Sequence, residues 1–171
     1  IDGAAERTIT INSVSKSHRM TGWRCGWTVA PKSLNRHFYN LNICMAYGLP
    51  PFIQDAAVTA LEEDAETAND VRTHLSRRRA LLAKECAGLT GATLYSEGGG
   101  MFAVLDVRPL QVSSTQFAWS LLEKYQVSLL PCDGFGNSGR GLLRISLCEE
   151  DEIVAAAAHR ICKFVRNQFC S

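Results

Sequence analysis

The residues with the clearest chemical potential lie close together in the stretch SVSKSHRMTGWRCGW, residues 13–27. Ser13 and Ser15 carry hydroxyl groups, Lys16 follows directly, and Arg24 lies eight positions after the lysine. Two hydroxyls and a guanidinium suit a phosphate dianion, because serine donates single hydrogen bonds and arginine donates a planar bidentate pair. A lysine amine beside such a pocket can form an imine with an aldehyde. The spacing therefore predicts a site for a ligand that carries both a phosphate and an aldehyde.

Pyridoxal 5′-phosphate combines these two groups and acts as an electron sink in catalysis. The residues alone leave a second interpretation open. In that interpretation Lys16 is a solvent-exposed residue after a strand, and Arg24 caps the edge of a sheet.

Two predicted strands position these side chains. Residues 7–14 (RTITINSV) and residues 23–30 (WRCGWTVA) both alternate between two faces, and a Thr-Gly turn signal lies between them. If the strands are antiparallel neighbours, the end of the first meets the start of the second. Arg24 then lies close to the Ser-x-Ser-Lys segment.

The rest of the chain alternates between helical and strand patterns, which predicts an α/β protein in two parts. Residues 1–69 are predicted to be the end of a larger sheet domain, and residues 70–171 an α+β domain entered by a long helix. Arg77–Arg79 lie on the polar face of that helix and are predicted to be solvent-exposed. The predicted helices cover 31–47, 52–64, 65–87, 114–125 and 149–169, and the later strands cover 101–107, 127–131 and 142–148.

Composition excludes several classes of function. The net charge of +1 gives no global attraction to nucleic acid or an anionic membrane, and no apolar run approaches the roughly 20 residues that span a bilayer. The scattered histidines predict no metal site. The seven cysteines, without a CxxC pair, predict neither a disulfide framework nor a zinc site but a reducing, cytoplasmic setting. They are Cys25, Cys44, Cys86, Cys132, Cys148, Cys162 and Cys170.

The stretch SVSKSHRMTGWRCGW resembles the lysine region of the fold-type I, class I/II pyridoxal-phosphate aminotransferases. Those enzymes carry Ser-x-Ser-Lys and, a few residues later, Gly-Trp-Arg-x-Gly-Trp or Tyr. Further on, SEGGGMFAVLDV resembles their entry to a small-domain strand, and VSLLPCDGFGNSGRGLLRISL resembles the stretch that ends in their substrate-carboxylate arginine. The resemblance covers the whole chain and implies the C-terminal part of such an enzyme, from the end of the large-domain sheet through the small domain.

Carried over position by position, the resemblance makes Lys16 the catalytic Schiff-base lysine, which shuttles a proton at the substrate α-carbon as base and then acid. It assigns cofactor-phosphate binding to Ser13, Ser15 and Arg24. The implied cofactor is pyridoxal 5′-phosphate.

On the substrate side, the resemblance implies that Arg144 binds the α-carboxylate and that Phe102 lines the pocket. Strand alternation by itself places Arg144 away from the apolar face, as a surface residue. Tyr47 and Gly48 fall where family members often reach across a dimer interface. Cys132 departs from the pattern, because many members have glycine after the preceding proline.

The resemblance implies an aminotransferase that moves an amino group between an L-amino acid and a 2-oxo acid, as a homodimer. Residues 41–62 are most similar to the arginine–pyruvate transaminase branch. Two alternatives are a C–S β-lyase of the same fold and a non-catalytic dimerisation or regulatory module, although the joint presence of Lys16, Arg24 and Arg144 argues against the latter. The family's ring-binding residues precede its lysine, so this chain alone is predicted to be inactive.

Overall fold

The structure is a computed structural model that describes residues 1–169, and Cys170 and Ser171 lie outside the described residues. The chain forms two compact units, one of residues 1–72 and one from Thr73 onward. The mixed α/β class predicted from the sequence is confirmed. The helices are α1 (Val14–Ser17), α2 (Lys32–Ala46), α3 (Pro51–Glu63), α4 (Ala65–Glu85), α5 (Ser114–Tyr125) and α6 (Asp151–Phe169). The strands are β1 (Thr10–Ser13), β2 (Gly26–Val29), β3 (Thr93–Tyr95), β4 (Phe102–Asp106), β5 (Leu130–Pro131) and β6 (Leu142–Ser146).

In the first unit, β1 and β2 form an antiparallel pair in which Thr10 faces Val29 and Ser13 faces Gly26. A Cβ atom at Gly26 would lie 2.7 Å from the backbone oxygen of Asn12, so glycine allows β2 to approach the end of β1 this closely. The antiparallel pairing predicted from the two alternating patterns is therefore confirmed.

The core of the first unit is small. It consists of Val14, Cys25 and Ala57, with partly buried Met20, Leu49 and Ile53 packed against it. Val14 belongs to α1 and Ala57 to α3, so this cluster fixes the single turn of α1 onto α3. Many large apolar side chains of this unit are exposed, among them Ile11, Val29, Met45, Tyr47 and Phe52.

The second unit is built on an antiparallel sheet in the order β3-β4-β6-β5. Alternate residues of β4 and β6 are buried on one face, where they join a core with side chains of α4, α5 and α6. The largest fully buried side chains there include Phe117, Phe164, Leu82, Leu105 and Leu143. The opposite face of β6 carries Arg144.

Capping interactions define the helix starts. The Ser113 hydroxyl accepts a hydrogen bond from the backbone N–H of Gln116 at 3.2 Å, which caps α5. The Asp64 carboxylate accepts one from the backbone N–H of Thr67 at 3.0 Å in the first turn of α4. This bonding to Thr67 lowers the pKa of Asp64.

The prediction that Arg77–Arg79 form a solvent-exposed face is wrong for Arg78, which is only 8% exposed, and Arg79 is half-buried. Its guanidinium pairs with Glu150 at 2.9 Å and Asp151 at 3.1 Å and donates to the backbone oxygen of Leu147 at 3.4 Å. Arg77 also pairs with Asp151, at 2.6 Å. Helical periodicity could not reveal these partners, because they lie about 70 positions away in sequence.

Other elements differ from prediction at their ends. The second predicted strand begins at Gly26 rather than residue 23, because residues 21–23 form a 3₁₀ turn and Arg24 adopts a left-handed conformation with φ 54°. The three-residue strand β3 was not predicted, since so short a segment shows little alternation. Within residues 1–169, no helix has the length and apolarity required to cross a membrane, and no cluster of three or more metal-binding side chains occurs.

Candidate active site

The turn that carries Lys16 is fixed by a capping hydrogen bond at its start and by the buried side chain of Val14. Ser13 ends β1 and caps α1, with its hydroxyl accepting from the backbone N–H of Ser15 at 3.4 Å. Val14 is fully buried against Cys25 and Ala57. Lys16 itself is exposed. The lysine amine is therefore accessible to a ligand although its backbone is anchored.

The hydroxyl groups around this turn are directed to different partners. The hydroxyl of Ser17 lies 2.9 Å from Nδ1 of His18 and 3.5 Å from the backbone oxygen of Ser13. The Ser15 side chain is half-buried and Ser13 is exposed. Neither of these last two hydroxyl protons is donated to another described residue, so both remain available to an acceptor.

The position of Arg24 follows from the pairing of β1 with β2. Ser13 faces Gly26, and Arg24 lies two residues before Gly26. Its left-handed backbone places it at the junction between the 3₁₀ turn and β2, and one guanidinium nitrogen donates to the backbone oxygen of Thr21 at 2.9 Å. A guanidinium has five N–H donors, and most of those of Arg24 have no partner among residues 1–169, so they can bind a ligand.

In the second unit, Arg144 and Phe102 come together as neighbours on one face of the sheet. Arg144 lies opposite Val104, and Phe102 lies opposite Ser146, which makes the arginine and the phenylalanine a diagonal pair across β4 and β6. The Arg144 Cζ atom lies 4.1 Å from the centroid of the Phe102 ring. This is a close cation–π contact.

A second ring, that of Phe135, lies 5.5 Å from the Arg144 Cζ atom. The sequence analysis did not identify Phe135 as a site residue. The available signal was one aromatic residue within the glycine-rich loop CDGFGNSGRG, directly before the arginine strand. Such a loop has no periodicity from which the direction of a side chain could be inferred.

The loop that carries Phe135 is tied to the body of the second unit. The Cys132 backbone N–H donates to the oxygen of Leu142 at 2.9 Å, and the Ser114 hydroxyl donates to the Asp133 carboxylate. A Cβ atom at Gly139 would lie 2.2 Å from the Cys132 oxygen, so only glycine fits where the loop folds back. Burial raises the pKa of the Cys132 thiol, and the charge of Arg144 opposes that shift.

Three arginines of the second unit pair with carboxylates, whereas most lysines and arginines of residues 1–169, the candidate residues among them, form no salt bridge. Arg77 and Arg78 pair with carboxylates, and Arg108 pairs with Asp106. Among residues 1–169, no carboxylate forms a salt bridge with the three remaining cations of interest. These are Lys16, Arg24 and Arg144.

This donor set fits pyridoxal 5′-phosphate in its chemistry. The first unit presents two serine hydroxyls and a guanidinium with free donors for a phosphate, and an accessible primary amine for an aldehyde. The second unit presents a guanidinium whose aromatic contacts leave its in-plane N–H groups to bind a planar carboxylate. The roles of Ser13, Ser15, Lys16, Arg24, Arg144 and Phe102 remain predictions.

Comparison with known proteins identifies the family. The model of "Aminotransferase class I and II" matches residues 1–161. The arginine–pyruvate transaminase of Pseudomonas aeruginosa is 44% identical over 161 residues, which cover 94% of this chain and 41% of that protein. An aspartate aminotransferase of Pyrococcus horikoshii is 30% identical over 167 residues, or 96% of this chain and 43% of that protein. The chain thus spans about two fifths of the length of these relatives.

Solved structures give the same result. An aromatic aminotransferase from Pyrococcus horikoshii matches with a TM-score of 0.89 at 29% identity, covering 98% of this chain and 45% of that one. The N-succinyldiaminopimelate aminotransferase from Mycobacterium tuberculosis matches with a TM-score of 0.79 at 33% identity, covering 95% and 43%. Members of the matching family depend on pyridoxal phosphate. The chain belongs to the class I and II aminotransferases.

Proposed function

We propose that the protein containing this chain transfers an amino group between an L-amino acid and a 2-oxo acid, with pyridoxal 5′-phosphate as cofactor. The observation that carries the proposal is the anchored turn of Lys16, which lies next to two serine hydroxyls and the β1–β2 pair beside Arg24. Family membership supports the same reaction class.

In this proposal, Ser13, Ser15 and Arg24 bind the phosphate, and Lys16 holds the aldehyde carbon through its amine. The cofactor, when bound, supplies an electron sink for negative charge at the substrate α-carbon. Lys16 then acts on the proton of that carbon, first as base and then as acid. The burial of Val14 suits this role, because it fixes the backbone of the turn while the amine can move.

Arg144 binds the α-carboxylate of the amino acid and of the oxo acid. Phe102 and Phe135 restrict the directions that the guanidinium can take, which lowers the entropy lost when a carboxylate binds. A bidentate arginine recognises the one group that all amino and oxo acid substrates share. Other residues must therefore determine the specificity for the side chain of the substrate.

The proposal also covers the domain organisation, the oligomeric state, the cellular location and the first substrates to test. Residues 1–69 are the end of a cofactor-binding domain and residues 70–171 a small domain, as the resemblance implies. The protein acts as a cytoplasmic homodimer, and Tyr47, which is 94% exposed at the end of α2, belongs to the dimer contact. The name of the Pseudomonas aeruginosa relative makes arginine and pyruvate the first substrates to test.

Borohydride trapping of the cofactor on the full-length gene product tests the proposal. We expect mass spectrometry to find the reduced cofactor adduct on Lys16. Lys16→Ala should abolish both the adduct and transamination, whereas Lys32→Ala, at another exposed lysine of the same unit, should change neither. An adduct on a different lysine would refute the role given to Lys16.

Product analysis separates the reactions open to the same fold. Transamination yields a 2-oxo acid without free ammonia, whereas β-elimination by a C–S lyase releases ammonia with the oxo acid. A full-length protein that binds no cofactor would instead indicate the non-catalytic alternative. The 171-residue chain alone is expected to show no turnover.

A further inference from the structure

Two cysteines that are 76 positions apart in sequence lie in contact in the second unit. The Sγ atoms of Cys86 and Cys162 are 3.6 Å apart. Cys86 directly follows α4, and Cys162 lies within α6. The Cys162 sulfur also lies 3.7 Å from the backbone oxygen of Glu85.

We propose that Cys86 and Cys162 form a modification site, at which a hydroperoxide oxidises the pair to an intramolecular disulfide that joins the end of α4 to α6.

The geometry requires little movement for this bond. A disulfide has an S–S distance of about 2 Å, so the sulfurs must approach each other by about 1.5 Å. Both residues pack with the core of the second unit, Cys86 as a buried member and Cys162 at its margin. The contact therefore joins two packed elements rather than two loop ends.

Burial gives the two thiols different roles. Cys86 is only 6% exposed, whereas Cys162 is half-buried. A small oxidant in solvent therefore reaches Cys162 first. Cys86 is shielded from the oxidant but lies next to the sulfur that has reacted.

Electrostatics favours the same order of events. Hydrogen bonding with Cys86 lowers the pKa of Cys162 to about 7, and the charge of Arg166 adds to this against the opposing effects of burial and Glu85. The same hydrogen bond and burial raise the pKa of Cys86. The thiolate, which is the form that reacts with peroxides, therefore forms more readily at Cys162 than at Cys86.

The chemistry balances with hydrogen peroxide as the hydroperoxide. The Cys162 thiolate attacks one peroxide oxygen, the O–O bond breaks, and a sulfenic acid forms with release of hydroxide. The Cys86 sulfur then attacks the Cys162 sulfur, the S–O bond breaks, and the departing hydroxide takes the Cys86 proton as water. The thiols lose two electrons and the peroxide gains them.

Oxidation of the full 171-residue chain with hydrogen peroxide tests the site. The protein is reduced, treated with peroxide, alkylated under denaturing conditions and analysed by peptide mapping. We expect a Cys86–Cys162 linked peptide to be the main oxidised species and to disappear with dithiothreitol. The exposed thiols of Cys44 and Cys148 are internal controls in the same sample, because neither has a sulfur neighbour among the described residues.

A stability measurement supplies the second readout. Because the disulfide closes a long loop, the oxidised protein should unfold about 5 °C or more above the reduced protein. Cys86→Ala and Cys162→Ala should each abolish this difference.

Two results would overturn the proposal. One is a Cys86–Cys162 linked peptide that is no more abundant than disulfide-linked peptides that involve Cys44. The other is oxidation of Cys162 to the sulfinic acid while Cys86 remains open to alkylation. The wild-type peptide map decides the question even if either alanine variant fails to fold.

Discussion

Replacement of Phe102 by leucine measures how strongly an aromatic ring positions the proposed carboxylate-binding arginine. The Arg144 Cζ atom lies 4.1 Å from the ring centroid, and Phe102 is 38% exposed. A cation–π contact at such a partly exposed site is worth about 1 kcal/mol. Leucine preserves apolar volume but frees the guanidinium, and immobilising such a side chain again on binding costs about 0.5–1.5 kcal/mol. We therefore expect amino acid binding to weaken by about 1 kcal/mol, or about fivefold.

The assay follows the cofactor absorbance of the full-length protein while an amino acid is titrated. The half-saturating amino acid concentration should rise about fivefold in Phe102→Leu, and the rate at saturation should remain within about twofold of wild type. Phe102→Tyr keeps the ring and should restore binding. Trp119→Leu removes an aromatic residue that is 60% exposed on α5 and should have no effect.

Two outcomes contradict different parts of the reasoning. If Phe102→Leu binds amino acid normally while Arg144→Lys does not, the ring does not position the arginine. If Arg144→Lys also binds normally, the substrate-binding role of Arg144 is wrong. A loss of rate without a change in half-saturation would place Phe102 at the reacting atoms instead.

The remaining predictions concern stability. Arg78→Met should lower the free energy of unfolding in urea by roughly 2 kcal/mol. This is less than the full value of a buried ion pair, because Glu150 is largely exposed. An unchanged free energy of unfolding would show that the ion pairs of Arg78 are not stabilising. Gly26→Ala should destabilise the protein by about 1–3 kcal/mol, because its Cβ would lie 2.7 Å from a backbone oxygen of β1; Gly22→Ala, with nothing within 4 Å, is the matched control. The hydrogen bonds of Arg108 lower the pKa of Asp106 below its ordinary value of 3.8. The stabilising effect of Asp106 is therefore present above that pH and is lost as the pH falls through the lower folded pKa. Thermal unfolding between pH 5 and about 2 should show a larger loss of stability in wild type than in Asp106→Asn, in which other carboxylates such as Asp64 still titrate.

Alternation in the sequence predicted the strands at the candidate site, but not the helical turn α1 that carries Ser15 and Lys16. It predicted β1, the antiparallel approach of β2, and the position of Arg144 on the side of its strand away from the apolar residues. These predictions succeeded because an alternating strand has one buried face, and the register then determines which side chains lie opposite.

Contacts between distant segments could not be predicted in this way. The charge of Arg78 suggested exposure, and only the fold shows that the start of α6 supplies its partners. Phe135 lies in a loop whose backbone makes two 3₁₀ turns. Its contact with Arg144 depends on the hydrogen bonds of this loop and on the close packing of Gly139, and no local sequence pattern reveals either of them. Arg24 shows a local failure, because the strand pattern concealed its left-handed backbone.

The surroundings of Arg144 argue that this residue binds an anionic ligand. The chain has 17 acidic residues for 18 lysines and arginines, so carboxylates are not in short supply. Yet Arg144 is half-buried with aromatic rings rather than a carboxylate against it, and Asp133 in the adjacent loop is hydrogen-bonded by Ser114 instead. A cation that is partly removed from water without a counter-charge is unfavourable. An anionic ligand would remove this penalty. No such penalty applies to Lys16 and Arg24, which are exposed.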